Sequence, residues 1–251
     1  MHPSLEHTAH RPWPLPDGRW TWRQSWCDLL FAHWRVPAAL LRPLVPAGLN
    51  VQEFDGSSWV GVVPFRMAGV VRRPFPDLPW ISAFPELNVR LYVEAEGKPG
   101  VWFLSLDATN PLAVWAARRW FHLPYHRASI NFRSDESGIH YVAQRDGSGA
   151  GFSATYGPCG EPYRATPGGL DHWLTERYCL YATHPDGALL RNEVHHRPWP
   201  LQPARAWITA NSMLAEWGMP LRGEPILHYA RRVDVVVWDA ERVYGAQRAA
   251  G

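Results

Sequence analysis

Lysine is almost absent from this chain. Of 25 basic residues only Lys98 is a lysine, and the rest are arginines. Arginine stays protonated and grips carboxylates or phosphates through a planar fork, but it cannot be the amine nucleophile of an imine. Schiff-base chemistry is thereby confined to one candidate position. Cysteine is scarce too. Cys27, Cys159 and Cys179 are odd in number, widely spaced and without a CxxC pair, a pattern of reduced, mostly buried thiols in a cytoplasmic protein. No run approaches the roughly eighteen apolar residues of a membrane span. Residues 1–20 are rich in His and Pro and lack the apolar core of a secretory signal. The net charge of +2 is too small to grip nucleic acid or an anionic membrane, so neither is expected as a partner. P-loop, GxGxxG, GxSxG and HExxH motifs are missing. That removes the usual nucleotide, dinucleotide, serine-hydrolase and zinc-peptidase readings, and no cofactor is expected.

What is present is a globular composition: 251 residues, 46% hydrophobic and 19% charged, with 15 tryptophans. This suits one large domain whose core or pocket is walled by large rings. Prolines 3, 12, 14 and 16 mark residues 1–18 as a flexible arm before a single domain over 19–245. Trp20 to Trp34 reads as a strand, with Trp20, Trp22, Gln24 and Trp26 on one face. A short helix opens at Pro37. Strands over 49–54 and 59–71 flank Asp55-Gly56-Ser57, and strands over 87–95 and 101–106 flank Glu96-Gly97, both hairpin signals. Asn110-Pro111 caps a helix over 111–121. Further strands are expected at 129–132, 139–145, 152–156, 178–183, 189–195 and 225–238. A short helix is expected at 169–177, and the longest helix at 203–217. The fold class is α+β, dominated by an antiparallel sheet or barrel with a few flanking helices.

Several segments, in order, resemble the YqjF-like bacterial family of the acetoacetate decarboxylase-like superfamily. Among them are FAHWRVPAALLRPLVPAGLNV (31–51), DGSSWVGVVPFRM (55–67), FPELNVRLYV (84–93), RRWFHLPYHRA (118–128), HHRPWPL (195–201) and LHYARRVDVVVW (227–238). The resemblance implies a mainly antiparallel β-barrel or cone around an apolar cavity, and it allows a homo-oligomer. In acetoacetate decarboxylase two adjacent lysines follow a proline after a helix. The similar segment here, His122-Leu123-Pro124, is followed by Tyr125 and His126, so Schiff-base decarboxylation is not expected. Glu86 looks like that enzyme's cavity glutamate, and its cavity arginine falls near Cys27.

Five constellations could carry chemistry. In Glu86-Leu87-Asn88-Val89-Arg90, strand alternation puts Glu86, Asn88 and Arg90 on one face. There Arg90 would clamp a carboxylate, with Asn88 beside it and Glu86 as acid or base; the alternative is a solvated outer face. The segment Arg118 to Arg127 interleaves basic and aromatic residues. It offers Arg119 for ligand binding, and Tyr125 and His126 as catalytic donor and acid or base, unless its arginines only sit on a solvated helix end. His195 and His196 face opposite sides of a strand, so both cannot bind one metal; His195 is a ligand-binding candidate or a structural histidine. Glu176-Arg177 is expected to form ion pairs at a helix end, with Tyr178 reaching the cavity. In the last strand His228, Ala230 and Arg232 are expected to share a face. The reading is a small, anionic organic acid or carbonyl ligand in the cavity, with lyase- or isomerase-type proton transfer. A non-catalytic binding or sensing module and a metal-dependent enzyme using cavity histidines remain as alternatives.

Overall fold

The computed structural model describes residues 2–75, 82–219 and 221–243; the expected domain end at 245 lies outside them. In chain order the strands and helices are β1 (Trp22–Val36), α1 (Ala38–Leu41), β2 (Asn50–Val51), β3 (Ser58–Arg72), β4 (Phe84–Ala95), β5 (Lys98–Ala108), α2 (Pro111–Phe121), β6 (Tyr125–Asp135), β7 (Gly138–Arg145), β8 (Gly151–Pro158), α3 (Leu170–Thr175), β9 (Cys179–Thr183), β10 (Leu189–His196), β11 (Leu201–Asn211), β12 (Ile226–Val237) and β13 (Glu241–Arg242).

The β4–β5 hairpin turns through Glu96 and Gly97, both at positive φ. That is the twist-matched turn a two-residue hairpin favours. Asn110 accepts hydrogen bonds from the backbone N–H groups of Leu112 and Ala113 and so caps α2. The Asp55-Gly56 turn forms only a single bridge, Phe54 to Ser57, and β2 pairs with β4 instead of β3.

Strand β1 carries the decisive irregularity. Asp28 has φ 57°, and the register against β3 shifts between Cys27 and Ala32. An aspartate tolerates this left-handed conformation better than most residues. Its groups are held by three partners: Tyr156 donates to its carbonyl, and Tyr229 and Arg66 to its carboxylate. The extra residue flips the alternation. Trp22 packs with the inner cluster before it, and Leu29 and Phe31 after it, while Leu30, Ala32 and Trp34 join the outer cluster.

The sheet curls into a partly closed ring. Strands β4, β5, β9, β10, β12, β1 and β3 pair in succession back to β4, and β6, β7, β8 and β11 form a side arc between β5 and β12. Pairing is mostly antiparallel, with parallel joints at β5–β6 and β5–β9. The inner face of the ring holds one apolar cluster, and its outer face, roofed by the side arc and nearby loops, holds another.

Three expectations are corrected. Residues 203–217 are not the longest helix: β11 occupies Leu201–Asn211, and only Ala215–Trp217 forms a 3-10 turn. Pairing with β8 and β12 outweighs the helix-compatible alanines and arginine. In β12 the alternation breaks: Arg231 and Arg232 are both exposed, so Arg232 does not share the buried face of His228 and Ala230. Residues 2–18 do not hang loose. A 3-10 turn over Pro3–Glu6 and buried Ser4 and Arg11 dock them on β10. Arg11 donates to Glu193 at 2.9 Å and to the Val194 carbonyl at 2.6 Å, and the Trp13 indole donates to Glu193 at 2.7 Å. Arg11 compensates the charge of Glu193, which could not be buried unpaired. No helix among the described residues is long and apolar enough to cross a membrane.

Candidate functional site

The inner face of the ring, covered by α2 and by the segment after α3, encloses a cavity of about 140 Å³, measured as the space open to the centre of a water molecule. Its walls are mostly apolar and aromatic, and its polar groups are few. Strand β4 supplies three of them. Glu86, Asn88 and Arg90 all line the cavity, and the intervening Leu87, Val89 and Leu91 pack in the outer cluster. The expected shared face is therefore present and buried.

Glu86 is 1% exposed and accepts a hydrogen bond from the Tyr125 hydroxyl at 2.8 Å. Burial pushes its pKa up to about 8; the Tyr125 hydrogen bond works against this, and the negative charge of Asp107 adds to it. Asp107 sits behind the cavity wall in a bidentate pair with Arg145, at 2.7 and 2.9 Å. At neutral pH Glu86 is thus a protonated carboxylic acid, able to donate a proton or a hydrogen bond. Tyr125 follows Pro124 at the start of β6. Its hydroxyl pKa is raised by burial and by Glu86, so it stays protonated.

Arg90 is 8% exposed and held from both sides. Its Nε donates to the Tyr92 hydroxyl at 3.2 Å and an Nη to the Leu174 carbonyl at 2.9 Å, while its guanidinium lies over Phe31 and Tyr92. The Tyr92 hydroxyl is in turn hydrogen-bonded to the buried His33 ring. Gly61 lies between: a Cβ there would stand 3.2 Å from Arg90 Cγ and 3.2 Å from the His33 ring. A side chain at position 61 would crowd both groups.

Arg177, read from the sequence as half of an ion pair at a helix end, lines the cavity instead. It is 7% exposed and follows α3. Its Nε donates to the Trp173 carbonyl at 2.8 Å and one Nη to the Gln52 side chain, and its guanidinium rests on Tyr92 and Trp173. Its other Nη is buried without a partner. Burial lowers its pKa to about 10, so it remains a cation at neutral pH. Neither Arg90 nor Arg177 has a carboxylate within ion-pair distance among the described residues. Two further groups of the cavity wall, the Asn88 carbonyl oxygen and the Trp26 indole N–H, are also buried without a partner.

The remaining sequence candidates fall elsewhere. His126, next in β6 after Tyr125, is not in the cavity wall, and its charged neighbours include Arg145 and Asp107. Arg119 lies exposed on α2, which turns Ala113, Ala117 and Phe121 to the cavity. Tyr178 stays outside the cavity wall. Its hydroxyl donates to Glu176 and its ring stacks on His196 at 4.9 Å. His195 turns to the arm and bonds the Ser4 carbonyl at 2.8 Å; its neighbour His196 lines the cavity instead. Burial pushes His196 down to about 4, so it is neutral, and its Nδ1 bonds the Arg197 carbonyl at 2.7 Å. Among the described residues Glu176 and Arg177 form no ion pair: Glu176 accepts from Tyr178 and from the Trp199 N–H. Lys98 is outside the cavity, paired with Glu193 at 2.7 Å. Among the described residues no three His, Cys, Asp or Glu side chains cluster to hold a metal ion.

Comparison with known proteins adds to this geometry. The chain is 44% identical over 226 residues to the uncharacterized protein YqjF of Bacillus subtilis, covering 89% of this chain and 93% of that one. Its fold is similar to that of the enduracididine biosynthesis enzyme MppR, solved with the condensation product of pyruvate and imidazole 4-carboxaldehyde, at a TM-score of 0.66, 13% identity and 88% coverage of both chains. It is also similar to acetoacetate decarboxylase from Legionella pneumophila, at a TM-score of 0.61 and 14% identity, covering 94% of this chain and 93% of that one. These structural likenesses show a shared acetoacetate decarboxylase-like fold. Residues 23–234 match the family DUF2071, described as an uncharacterized conserved protein, and the chain belongs to that family.

Proposed function

We propose that this protein binds a small organic acid in the ring cavity and acts on it by proton transfer, without a Schiff base. One observation carries the reading. Two arginines, both at least nine-tenths buried, line one apolar cavity with no carboxylate partner among the described residues, and one keeps a donor unused. A buried, unpaired cation is costly, and an anionic ligand supplies the missing charge and acceptors. Glu86, protonated and hydrogen-bonded to Tyr125, is the acid or base for a lyase- or isomerase-type step. The neighbour MppR, solved in complex with pyruvate, supports an organic acid as the ligand class. The free thiols of Cys27, Cys159 and Cys179 suit a cytoplasmic setting.

The test is a thermal-shift and calorimetric screen of carboxylates and oxo acids against the wild type and Arg90→Met. Carboxylates raise the wild-type melting temperature by several degrees at saturation, and the effect is lost in the variant while its far-ultraviolet spectrum is kept. A variant that binds as well as the wild type overturns the reading.

A further inference from the structure

Behind Arg90 lies a row of buried polar groups that the proposed proton transfer does not use. Four elements bring them together: His33 comes from β1, Tyr92 from β4, His228 from β12 and Asp171 from α3. His228 stands opposite Phe31 in the β1–β12 register, so His33, two residues on, is its diagonal neighbour on the same face. Both histidines are buried, and their ring centroids are 6.5 Å apart. None of His33, Tyr92 and His228 lines the cavity itself.

The direction of each hydrogen bond in the row is fixed by chemistry. Arg90 Nε can only donate, so the Tyr92 oxygen accepts from it at 3.2 Å. Burial raises the Tyr92 pKa, so its hydroxyl keeps its proton. The other contact of that hydroxyl is His33 Nε2 at 2.5 Å, and it has no third among the described residues. The hydroxyl proton therefore goes to His33 Nε2. Burial and the nearby Arg90, His228 and Arg177 hold His33 neutral. A neutral imidazole whose Nε2 accepts carries its hydrogen on Nδ1. At the other end the Asp171 carboxylate accepts from the Tyr163 hydroxyl at 2.9 Å and from His228 Nε2 at 3.0 Å. Burial lowers the His228 pKa against the pull of Asp171, so this ring too is neutral. With its hydrogen on Nε2, its Nδ1 is an acceptor.

The two nitrogens left over complement each other. His33 Nδ1 is a donor, His228 Nδ1 is an acceptor, and both are buried without a partner. Leaving both unpaired is costly. With the centroids 6.5 Å apart the rings do not reach each other directly, and the gap suits one bridging water.

We infer that one buried water joins His33 Nδ1 to His228 Nδ1 and completes a hydrogen-bonded relay from Asp171, at its partly exposed end, through His228, His33 and Tyr92 to Arg90. The relay holds Arg90 Nε, and the Leu174 carbonyl holds one Nη. The remaining Nη donors are left for an anion. His33, His228 and Tyr92 are thus positioning residues of the anion site. That role rests on the proposed function; the relay and its water do not.

The first measurement needs no ligand. Long-range proton–nitrogen spectra of the whole chain, labelled with nitrogen-15 in histidine, report the tautomer of each ring, and signals lost in His33→Gln and His228→Gln identify the two. His33 is expected with its hydrogen on Nδ1 and His228 with its hydrogen on Nε2, the bare Nδ1 of His228 resonating as a hydrogen-bonded acceptor. The opposite tautomer in either ring overturns the relay, and the shift of a free lone pair at His228 Nδ1 removes the water. The second measurement is calorimetric titration with pyruvate. His33→Leu and Tyr92→Phe are each expected to weaken binding about tenfold, the scale of a lost hydrogen bond to a charged group. The double variant loses no more than either alone, because the two residues act as one chain. His33→Gln, whose amide accepts from Tyr92 and donates to the water, stays within about threefold of the wild type. Additive losses, or a glutamine variant as weak as the leucine one, overturn the positioning role. If pyruvate and other carboxylates do not bind the wild type at all, the proposed function falls, and the spectra still decide the relay.

Discussion

Replacing Glu86 by glutamine tests the central electrostatic claim without any knowledge of the ligand. The amide keeps an acceptor for the Tyr125 hydroxyl, which donates to Glu86 at 2.8 Å, and removes only the ionisation. In the native protein burial raises the carboxyl to about 8 from its usual 4.5. A raised carboxyl pKa means that the folded state prefers the protonated form. Its contribution is fully present below about pH 4.5 and is lost as pH rises through about 8. Between pH 5 and pH 8 the wild type therefore loses stability relative to Glu86→Gln at up to about 1.4 kcal/mol per pH unit, roughly 3 kcal/mol in all. Other groups move the absolute curve. His195 and His196, both pushed down to about 4 by burial, destabilise the fold as pH falls below their usual range. They are common to both proteins and cancel in the difference. Urea unfolding of the pair at pH 5, 6, 7 and 8 measures it. A difference that stays constant to within about 0.5 kcal/mol means that Glu86 is already ionised in the native protein, and the acid assigned to it would have to be another group.

Further outcomes follow from the same contacts. Arg11→Met leaves Glu193 with Lys98 at 2.7 Å and Arg191 at 3.8 Å, both on its other oxygen; the fold is expected to lose about 2–4 kcal/mol in urea unfolding, most of it the cost of a buried carboxylate oxygen left without its cation. If the loss is near zero, the arm is not held by this pair. Gly61→Ala presses on Arg90 and His33 at 3.2 Å; about 1–2 kcal/mol of stability and most carboxylate affinity in calorimetry are expected to go, and unaltered affinity would show that the guanidinium position is not fixed from that side. Borohydride reduction in the presence of acetoacetate should leave no adduct by mass spectrometry. Lys98 lies outside the cavity in an ion pair, and a stoichiometric adduct there would refute the exclusion of an imine.

The parts of the site that were legible in the sequence are those set by local rules. Alternation along 86–90 placed Glu86, Asn88 and Arg90 together because β4 runs without a bulge on its β3 side. The Asn110-Pro111 cap and the Glu96-Gly97 turn are short-range signals and appear as expected. What was not legible depends on partners distant in sequence. Arg177 looked like half of an ion pair because Glu176 precedes it, yet Glu176 is taken by Tyr178 and Trp199, which leaves the arginine to the cavity. Which of His195 and His196 faces inward is decided by how β10 sits between β9 and β12, which two adjacent histidines cannot reveal. β11 was misread because its intrinsic preference is weak and its pairing with β8 is strong. The arm was misread because four prolines announce the lack of a regular element, not the lack of contacts.

The extra residue at Asp28 sets how this cavity can vary. Because the two halves of β1 meet the interior in opposite phase, the strand is read in two frames joined at one residue. Substitution at Trp26 or Leu29 changes the cavity wall one position at a time. A single deletion just after Asp28, with the irregularity kept at that residue, would move Leu30, Ala32 and Trp34 into the inward positions now held by Leu29, Phe31 and His33. The pocket can thus diversify by point change but not by length change in this strand. Any graft of a different β1 half must be cut at Asp28 to keep its side chains facing the same way.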